Sequence, residues 1–288
     1  MPSYTWLITG ASSGLGASIA HAALDAGHTV IAAARNVAKG RQSHPEIERK
    51  GGRWLTLDVT LTETHAIVAQ AVRKHNVNVV VNNAGYALRG VLEDLSMDAI
   101  RAQFETNLIG ALTVTKASIP HLRAQRSGTI VNISSTSGIS GNAGYSLYAA
   151  SKFALEGASE SLAAELAPFK IRVLVVEPGA FRTNFQSAAA SAEQGVSDAY
   201  KGTPADAIAQ RMRSVHGTQA GDPAKAGQAI VEVVTGQGRG ADVVWNGGSV
   251  LRLPLGKDAV QRAYAKLNNF SANVEQVRHI SEWAIFDE

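Results

Sequence analysis

The sequence predicts an α/β fold, a parallel sheet buried between helices on both faces. Three observations carry that prediction. Short, β-rich apolar runs alternate with helical patterns from the first residues onward. The runs are near-continuously apolar rather than alternating, as strands covered on both sides are. A glycine-rich turn joins the first run to the first helix.

In chain order, Tyr4–Thr9 reads as the first strand and Ser13–Ala26 as the first helix. Strands at Thr29–Ala33 and Trp54–Val59 follow, then a helix over Glu63–Lys74 and a strand over Val77–Val81. One long helix is expected over Met97–Gln125, a strand over Thr129–Ser134, a helix over Leu147–Leu166 and a strand over Arg172–Glu177. Beyond an irregular stretch lie a helix at Ala224–Thr235 and a seventh strand at Val243–Asn246. The stretch between Glu177 and Ala224 is about 45 residues of mostly Ala, Ser and Gly, and connections beyond about 12–15 residues are usually functional or mobile. Residues 183–222 are therefore read as a substrate lid. No repeat or Pro-rich linker divides residues 1–288, so a single domain is expected, and the tail after Asn268 carries no readable pattern.

Composition narrows the function. With 45% hydrophobic and 18% charged residues, the 288-residue chain can bury a large core. The net charge of +3 is scattered, and basic stretches such as Lys39–Arg41 and Arg49–Arg53 are short and lack aromatics, which argues against nucleic acid. The absence of cysteine excludes disulfides, thiol nucleophiles and Cys-ligated metals, and it suits a reducing compartment. The eight histidines show no metal-ligand spacing, so no metal is expected. Met1-Pro2-Ser3 runs straight into an apolar stretch without a basic leader, and no apolar run approaches the roughly 20 residues of a membrane span. A soluble, cytoplasmic protein is the expectation.

The first strand ends in Thr9-Gly10-Ala11-Ser12-Ser13-Gly14-Leu15-Gly16. Strand, glycine turn and helix form a dinucleotide-binding arrangement: glycine lets backbone approach the pyrophosphate, and the helix N-terminus attracts it. The doubly wound sheet is then of the Rossmann type. An acid at the end of the second strand would hold the 2′-hydroxyl of NAD, whereas an arginine would accept the 2′-phosphate of NADP. This strand ends Ala33-Ala34-Arg35 with no acid, which favours NADP(H). Asp58 closes the third strand, as a turn-former or as a partner of the adenine amino group. The fourth ends Asn82-Asn83-Ala84-Gly85, where backbone contact with the cofactor is expected.

Residues 134–152 read SSTSGISGNAGYSLYAASK. Gly141 and Gly144 keep the helix from starting before Tyr145, and Ser146 is the expected N-cap. Tyr148 and Lys152 then share one helical face. A phenol of pKa about 10 is a poor proton carrier at neutral pH. Lowering it by about 3 units takes roughly 4 kcal/mol, which an ammonium about 4 Å away can supply if it outweighs desolvation.

Tyr-x-x-x-Lys alone is a weak signal. Joined to Thr9–Gly16, Asn82–Gly85 and a serine at 135, it makes the sequence resemble the short-chain dehydrogenase/reductase family over roughly residues 4–250. The branch is the one marked by T-G-x-x-x-G-x-G and Tyr-x-x-x-Lys. The resemblance implies that Tyr148 protonates a carbonyl oxygen or acts as the base in reverse. Lys152 lowers its pKa and holds the nicotinamide ribose, and Ser135 bonds the substrate oxygen. Asn107 matches an asparagine that interrupts the long helix and anchors a water. Cofactor contacts are implied for Gly10, Ser12, Ser13, Gly14, Leu15, Gly16, Arg35, Asp58, Asn82, Ala84, Gly85, Tyr148 and Lys152. Pro178, Gly179, Phe181 and Thr183 match the segment that cups the nicotinamide carboxamide and phosphates. Ser13 fills a slot that is often basic in NADP-preferring members, so Arg35 carries that inference alone.

Phe181, Phe185, Tyr200, Ile208 and Met212 could form an apolar lid, with Tyr86, Gly138 and Tyr145 on the opposite wall. That suits a bulky apolar ketone or secondary alcohol, and the pattern resembles hydroxysteroid- and retinol-type members most. The partner expected is such a small molecule, and a homo-oligomer is allowed. The alternative is a non-catalytic NADP(H)-binding sensor of the same fold. An esterase is disfavoured because the turn is not G-x-S-x-G, and a sugar-nucleotide epimerase because its glycine spacing differs.

Overall fold

The computed structural model describes residues 3–185, 190–191, 196–214, 217–245 and 247–286. Seven parallel strands form the sheet: β1 (Thr5–Ile8), β2 (Thr29–Ala34), β3 (Arg53–Thr56), β4 (Val79–Asn82), β5 (Gly128–Ile133), β6 (Ile171–Pro178) and β7 (Leu251–Leu255). Their order is β3-β2-β1-β4-β5-β6-β7. The helices are α1 (Gly14–Asp25), α2 (Val37–Ser43), α3 (Glu46–Arg49), α4 (Thr64–Lys74), α5 (Met97–Phe104), α6 (Gly110–Gln125), α7 (Thr136–Ile139), α8 (Ser146–Leu166), α9 (Pro204–Ser214), α10 (Pro223–Thr235) and α11 (Lys257–Trp283). The two-residue segments Leu88–Arg89 and Ala190–Ser191 pair apart from the main sheet.

Successive side chains of a strand point to opposite faces, so a strand buried on both sides must be apolar at every position. Trp6 and Ile8 pack with Ile19 and Ala23 of α1 and Ile230 and Val234 of α10. Leu7, between them, packs on the other face with Val68 and Val72 of α4, Val114 and Leu122 of α6, and Ala163 of α8. This two-sided core explains the near-continuous apolar runs.

The long helix over Met97–Gln125 is interrupted at Asn107, as the family resemblance implied, by a single π-turn at Glu105–Ile109. Two expectations are corrected. The seventh strand is not Val243–Asn246, whose described part is irregular and whose Asn246 lies outside the described residues; it is Leu251–Leu255. This is an edge strand, paired only with β6 and half-exposed, so its Arg252 and Pro254 break the apolar pattern at no cost to the core. The tail without a readable pattern is helical and belongs to the 27-residue α11.

β1 lies between β2 and β4, so the chain winds outward from it in both directions. Ligands bind an open α/β sheet beyond the carboxyl ends of strands at such a switch point. The candidate residues gather there.

Candidate active site

The glycine turn is fixed from below by the fourth strand. The Thr9 hydroxyl donates to the Val81 carbonyl at 3.2 Å and accepts from the backbone N–H groups of Asn83 and Ala84, each at 3.0 Å. The Asn83 amide donates back to the carbonyls of Thr9 at 2.9 Å and Gly10 at 3.1 Å. A Cβ on Gly16 would collide with that amide and with the Gly10 carbonyl. Gly10 and Gly14 have φ of +64° and +56°, a region that favours glycine. Ser13 sits at the N-cap of α1 without a side-chain cap bond, and the first turn holds no acidic residue. The helix N-terminus is thus suited to an anion, and the turn fits a dinucleotide pyrophosphate.

Around this turn the other expected cofactor residues separate by role. Arg35 is exposed at the tip of β2, next to Asn36, whose side chain caps α2 by accepting from Lys39 N at 2.9 Å. No carboxylate stands at that strand end. Asp58 accepts from the Thr60 N–H at 3.0 Å and hydroxyl at 2.8 Å, so its turn-forming role is realised. Asn82 donates from its buried side chain to Thr115 Oγ1 and Asn132 Oδ1, both at 2.8 Å, which engages that side chain in the core. Gly85 packs so closely that a Cβ would lie 3.0 Å from Asn107 Oδ1 and 3.7 Å from Lys152 Nζ.

Tyr148 and Lys152 lie in the first two turns of α8, both buried. The N-cap position is Tyr145 rather than the expected Ser146, because the chain enters through Gly144 at φ +73° and an Asn142 turn. Ser135, which caps α7 by accepting from Ser137 N at 3.1 Å, lies near enough to the Tyr148 hydroxyl to influence its titration. Burial dominates Tyr148 and pushes its pKa up to about 12; Ser135 opposes this and Tyr145 adds to it. Lys152 donates to the Ile133 carbonyl at 2.8 Å and stands 5.8 Å from the Tyr148 ring centre. Burial lowers its pKa to about 8, against the pull of the Glu156 carboxylate. The expectation that the ammonium outweighs desolvation is not met in this arrangement. Asn107 accepts from Tyr86 N at 3.1 Å and donates to Tyr86 O at 2.9 Å and Ser151 Oγ at 3.2 Å. Asn107, Ser135, Tyr148 and Lys152 are therefore brought to one place.

Pro178 ends β6 and leads into the other wall. Gly179 N donates to Leu255 O at 2.9 Å, and Ala180 N to Asp258 Oδ2 at 2.8 Å. Phe181 bridges to Gly221, and Thr183 lies 3.6 Å from where a Gly14 Cβ would stand. The Phe185 ring is 6.0 Å from that of Tyr148, and the Tyr145 ring 6.2 Å from it on another side. Tyr200 and Ile208 are half-buried, whereas the side chain of Met212 lies outside the described residues. So do residues 186–189, 192–195 and 215–216 of the expected lid. Gly138 does not line the pocket wall as expected: it packs against the carboxylate of Glu156, with which a Cβ would collide.

Sequence reasoning missed what lies beneath the site. Glu156, one turn beyond Lys152, is buried and accepts from Ser134 and Arg252. Arg252 also pairs with Glu160 and with buried Glu177, next to Pro178. Burial first, then the Glu156 charge, raises Glu177 to about 6 in spite of Arg252. One guanidinium thus ties β6, β7 and α8 together under the reacting groups. The only local signal was Glu156 at helical spacing from Lys152.

Among the described residues no cluster of three or more acidic or histidine side chains could hold a metal, and no helix is long and apolar enough to cross a membrane. The short chain dehydrogenase family model matches residues 5–194. The oxidoreductase claN of Passalora fulva is 59% identical over 210 residues, covering 73% of this chain and 95% of that protein. A short-chain dehydrogenase structure from Streptomyces avermitilis superposes with a TM-score of 0.83 at 36% identity, covering 99% of this chain and all of that one. A putative NAD(P)-dependent gluconate 5-dehydrogenase from Beutenbergia cavernae, with bound NADP at low occupancy, gives a TM-score of 0.69 at 27% identity over 88% of this chain and 95% of that one. With the glycine turn, the tyrosine and lysine on one helix and the seven-stranded sheet already in place, these matches identify the chain as a member of the short-chain dehydrogenase/reductase family of oxidoreductases.

Proposed function

We propose that this oxidoreductase interconverts a bulky, largely apolar ketone and its secondary alcohol with NADP(H). The observation that carries the reading is the placement of Lys152, 5.8 Å from the Tyr148 ring centre and bonded to the Ile133 carbonyl just before Ser134-Ser135, which gathers tyrosine, lysine and serine at one strand end. When bound, the nicotinamide supplies or accepts the hydride. Ser135 hydrogen-bonds the carbonyl oxygen, and Tyr148 delivers the proton to it or removes it in the reverse direction. The buried ammonium of Lys152 favours the phenolate that proton loss creates, and it lies where a ribose hydroxyl can also be held. Both N–H groups of the Asn107 side chain are engaged within the fold, and the π-turn backbone anchors a water that returns the proton to Tyr148. Arg35 receives the 2′-phosphate.

Phe181, Phe185 and Tyr145 give the substrate side its apolar character. The segment from 183 to 222 acts as a lid over Tyr148 on a single catalytic domain, and the chain works in the reducing cytoplasm. The test is NADPH oxidation with a panel of bulky ketones and matched small ones. Turnover of the bulky ketones, lost in Tyr148→Phe, supports the reading. Tight NADPH binding without turnover of any carbonyl would favour a sensor instead.

A further inference from the structure

The long C-terminal helix has more exposed apolar surface than a lone helix keeps. Its first turns are anchored: Ala259 is buried, and Arg262 donates to Ser140 Oγ at 3.3 Å and Asn142 Oδ1 at 3.1 Å. From Tyr264 to Phe286 every residue is exposed, with Leu267 and Phe270 each at 63% and Trp283 at 83%. Asn268, Asn269, Ser271 and Asn273 are weak helix formers, and an isolated helix of such composition is marginal in water. Its apolar positions nevertheless keep a strict order. Val260, Leu267 and Val274 recur at every seventh residue, and Ala263, Phe270 and Val277 do the same three places on. That is the seam of a two-helix coiled coil.

We infer that α11 pairs antiparallel with α11 of a second copy of this chain. In one register Val260 faces Val277, Ala263 faces Val274 and Leu267 faces Phe270, each pair occurring twice about a two-fold axis near Asn268 and Asn269. A self-complementary patch of this kind closes as a dimer. Charge favours it as well: the proximal half carries Lys257, Arg262 and Lys266 against Asp258, while the sequence beyond Ser271 carries Glu275, Glu282, Asp287 and Glu288 against Arg278. Head-to-tail pairing matches opposite signs; parallel pairing would stack like ones. The acidic tip also argues against a lipid surface, since anionic leaflets attract basic segments. The pairing leaves the tip around Trp283 to meet the partner's body.

Sedimentation velocity and light scattering on the full chain test this. A dimer is expected, and Leu267→Glu with Phe270→Glu should weaken it by roughly a hundredfold or more. Both side chains lie on the exposed stretch, so each protomer should keep its melting profile and NADPH binding. A wild-type monomer, a double variant that stays dimeric, or a monomer that pellets with vesicles would overturn the proposal. The chain has no cysteine, which makes orientation readable. Antiparallel pairing puts the two copies of residue 267 about 5 Å apart along the axis and those of residue 277 about 25 Å apart. A short bis-maleimide should therefore join Leu267→Cys and not Val277→Cys. Joining both would show parallel pairing and overturn the register.

Discussion

Lys152 Nζ donates to the Ile133 carbonyl at 2.8 Å, tying α8 to the end of β5 immediately before Ser134-Ser135. The ammonium is thereby held 5.8 Å from the Tyr148 ring centre. One backbone carbonyl thus fixes the lysine beside both the tyrosine and the serine that share the substrate oxygen in the proposed reaction. Glu156 sits one turn further along the helix and bonds Ser134, so the strand end is gripped twice.

Replacing Tyr148 with Phe should abolish turnover while leaving NADPH binding nearly unchanged, because only the transferable proton is lost. Tyr145→Phe should change activity modestly, through substrate fit. Steady-state rates with fluorescence titration of NADPH check this; an inactive Tyr145→Phe beside an active Tyr148→Phe would reverse the roles.

Lys152→Met should raise the kinetic pKa assigned to the tyrosine and weaken cofactor binding together. Burial lowers Lys152 from 10.5 to about 8, so between those values the folded protein binds fewer protons than the unfolded chain. Lysine's contribution to stability must then rise with pH across that window. Denaturant titrations from pH 7.5 to 10.5 should show the rise in wild type relative to Lys152→Met, alongside the shifted pH–rate profile.

Glu177 behaves in the opposite sense. Its pKa is raised from 4.5 to about 6, so the folded state holds the extra proton. The stability it contributes is present below about 4.5 and is lost as pH rises through about 6. Glu177→Gln should therefore gain on wild type over that interval by at most about 2 kcal/mol. Stability curves that stay parallel from pH 4 to 7 would contradict this.

Gly16→Ala places a methyl group against the Asn83 amide and the Gly10 carbonyl. The fold should lose about 1–3 kcal/mol, with NADPH affinity falling alongside as the turn shifts. Thermal melts and cofactor titration read both effects, and an unchanged affinity would show that the turn does not hold the cofactor.

The proposed cofactor preference rests on Arg35. A guanidinium can grip a phosphate through charge-assisted bonds of roughly 1.5–3 kcal/mol each before solvent discounts them. A ten- to hundredfold preference for NADPH needs only about 1.4–2.8 kcal/mol. Arg35→Ala should lose most of it by weakening NADPH, and Ala34→Asp should move selectivity towards NADH. The ratio of kcat/KM for the two cofactors decides; a wild type that favours NADH would overturn the assignment.

The interior strands were legible because burial on both faces forces apolar residues at every position, as in Trp6, Leu7 and Ile8. β7 was not, since an edge strand tolerates Arg252 and Pro254. α11 was missed although its seven-residue apolar repeat stands in the sequence, because Asn268, Asn269, Ser271 and Asn273 are weak helix formers and the stretch packs on nothing in the protomer beyond its first turns. At the site, Tyr148, Lys152, Ser135 and Asn107 could be found together because their spacing along the chain is informative. Glu156, Glu177 and Arg252 meet only through the packing of α8 on β6 and β7, and nothing local announces that contact. Gly138 was misplaced for the same reason, its neighbour being a carboxylate from a distant turn.

Pro254 has a consequence for how the sheet ends. Leu255 turns its carbonyl inward to Gly179 N, so the neighbouring Pro254 presents its ring nitrogen to the free edge of β7. That nitrogen carries no hydrogen. A strand arriving from another molecule would find a missing rung where its carbonyl expects a donor. At the opposite border, β3 offers only four residues. Both margins of the sheet are thus poor templates for further strands, which protects a core rich in valine and isoleucine from edge-to-edge aggregation.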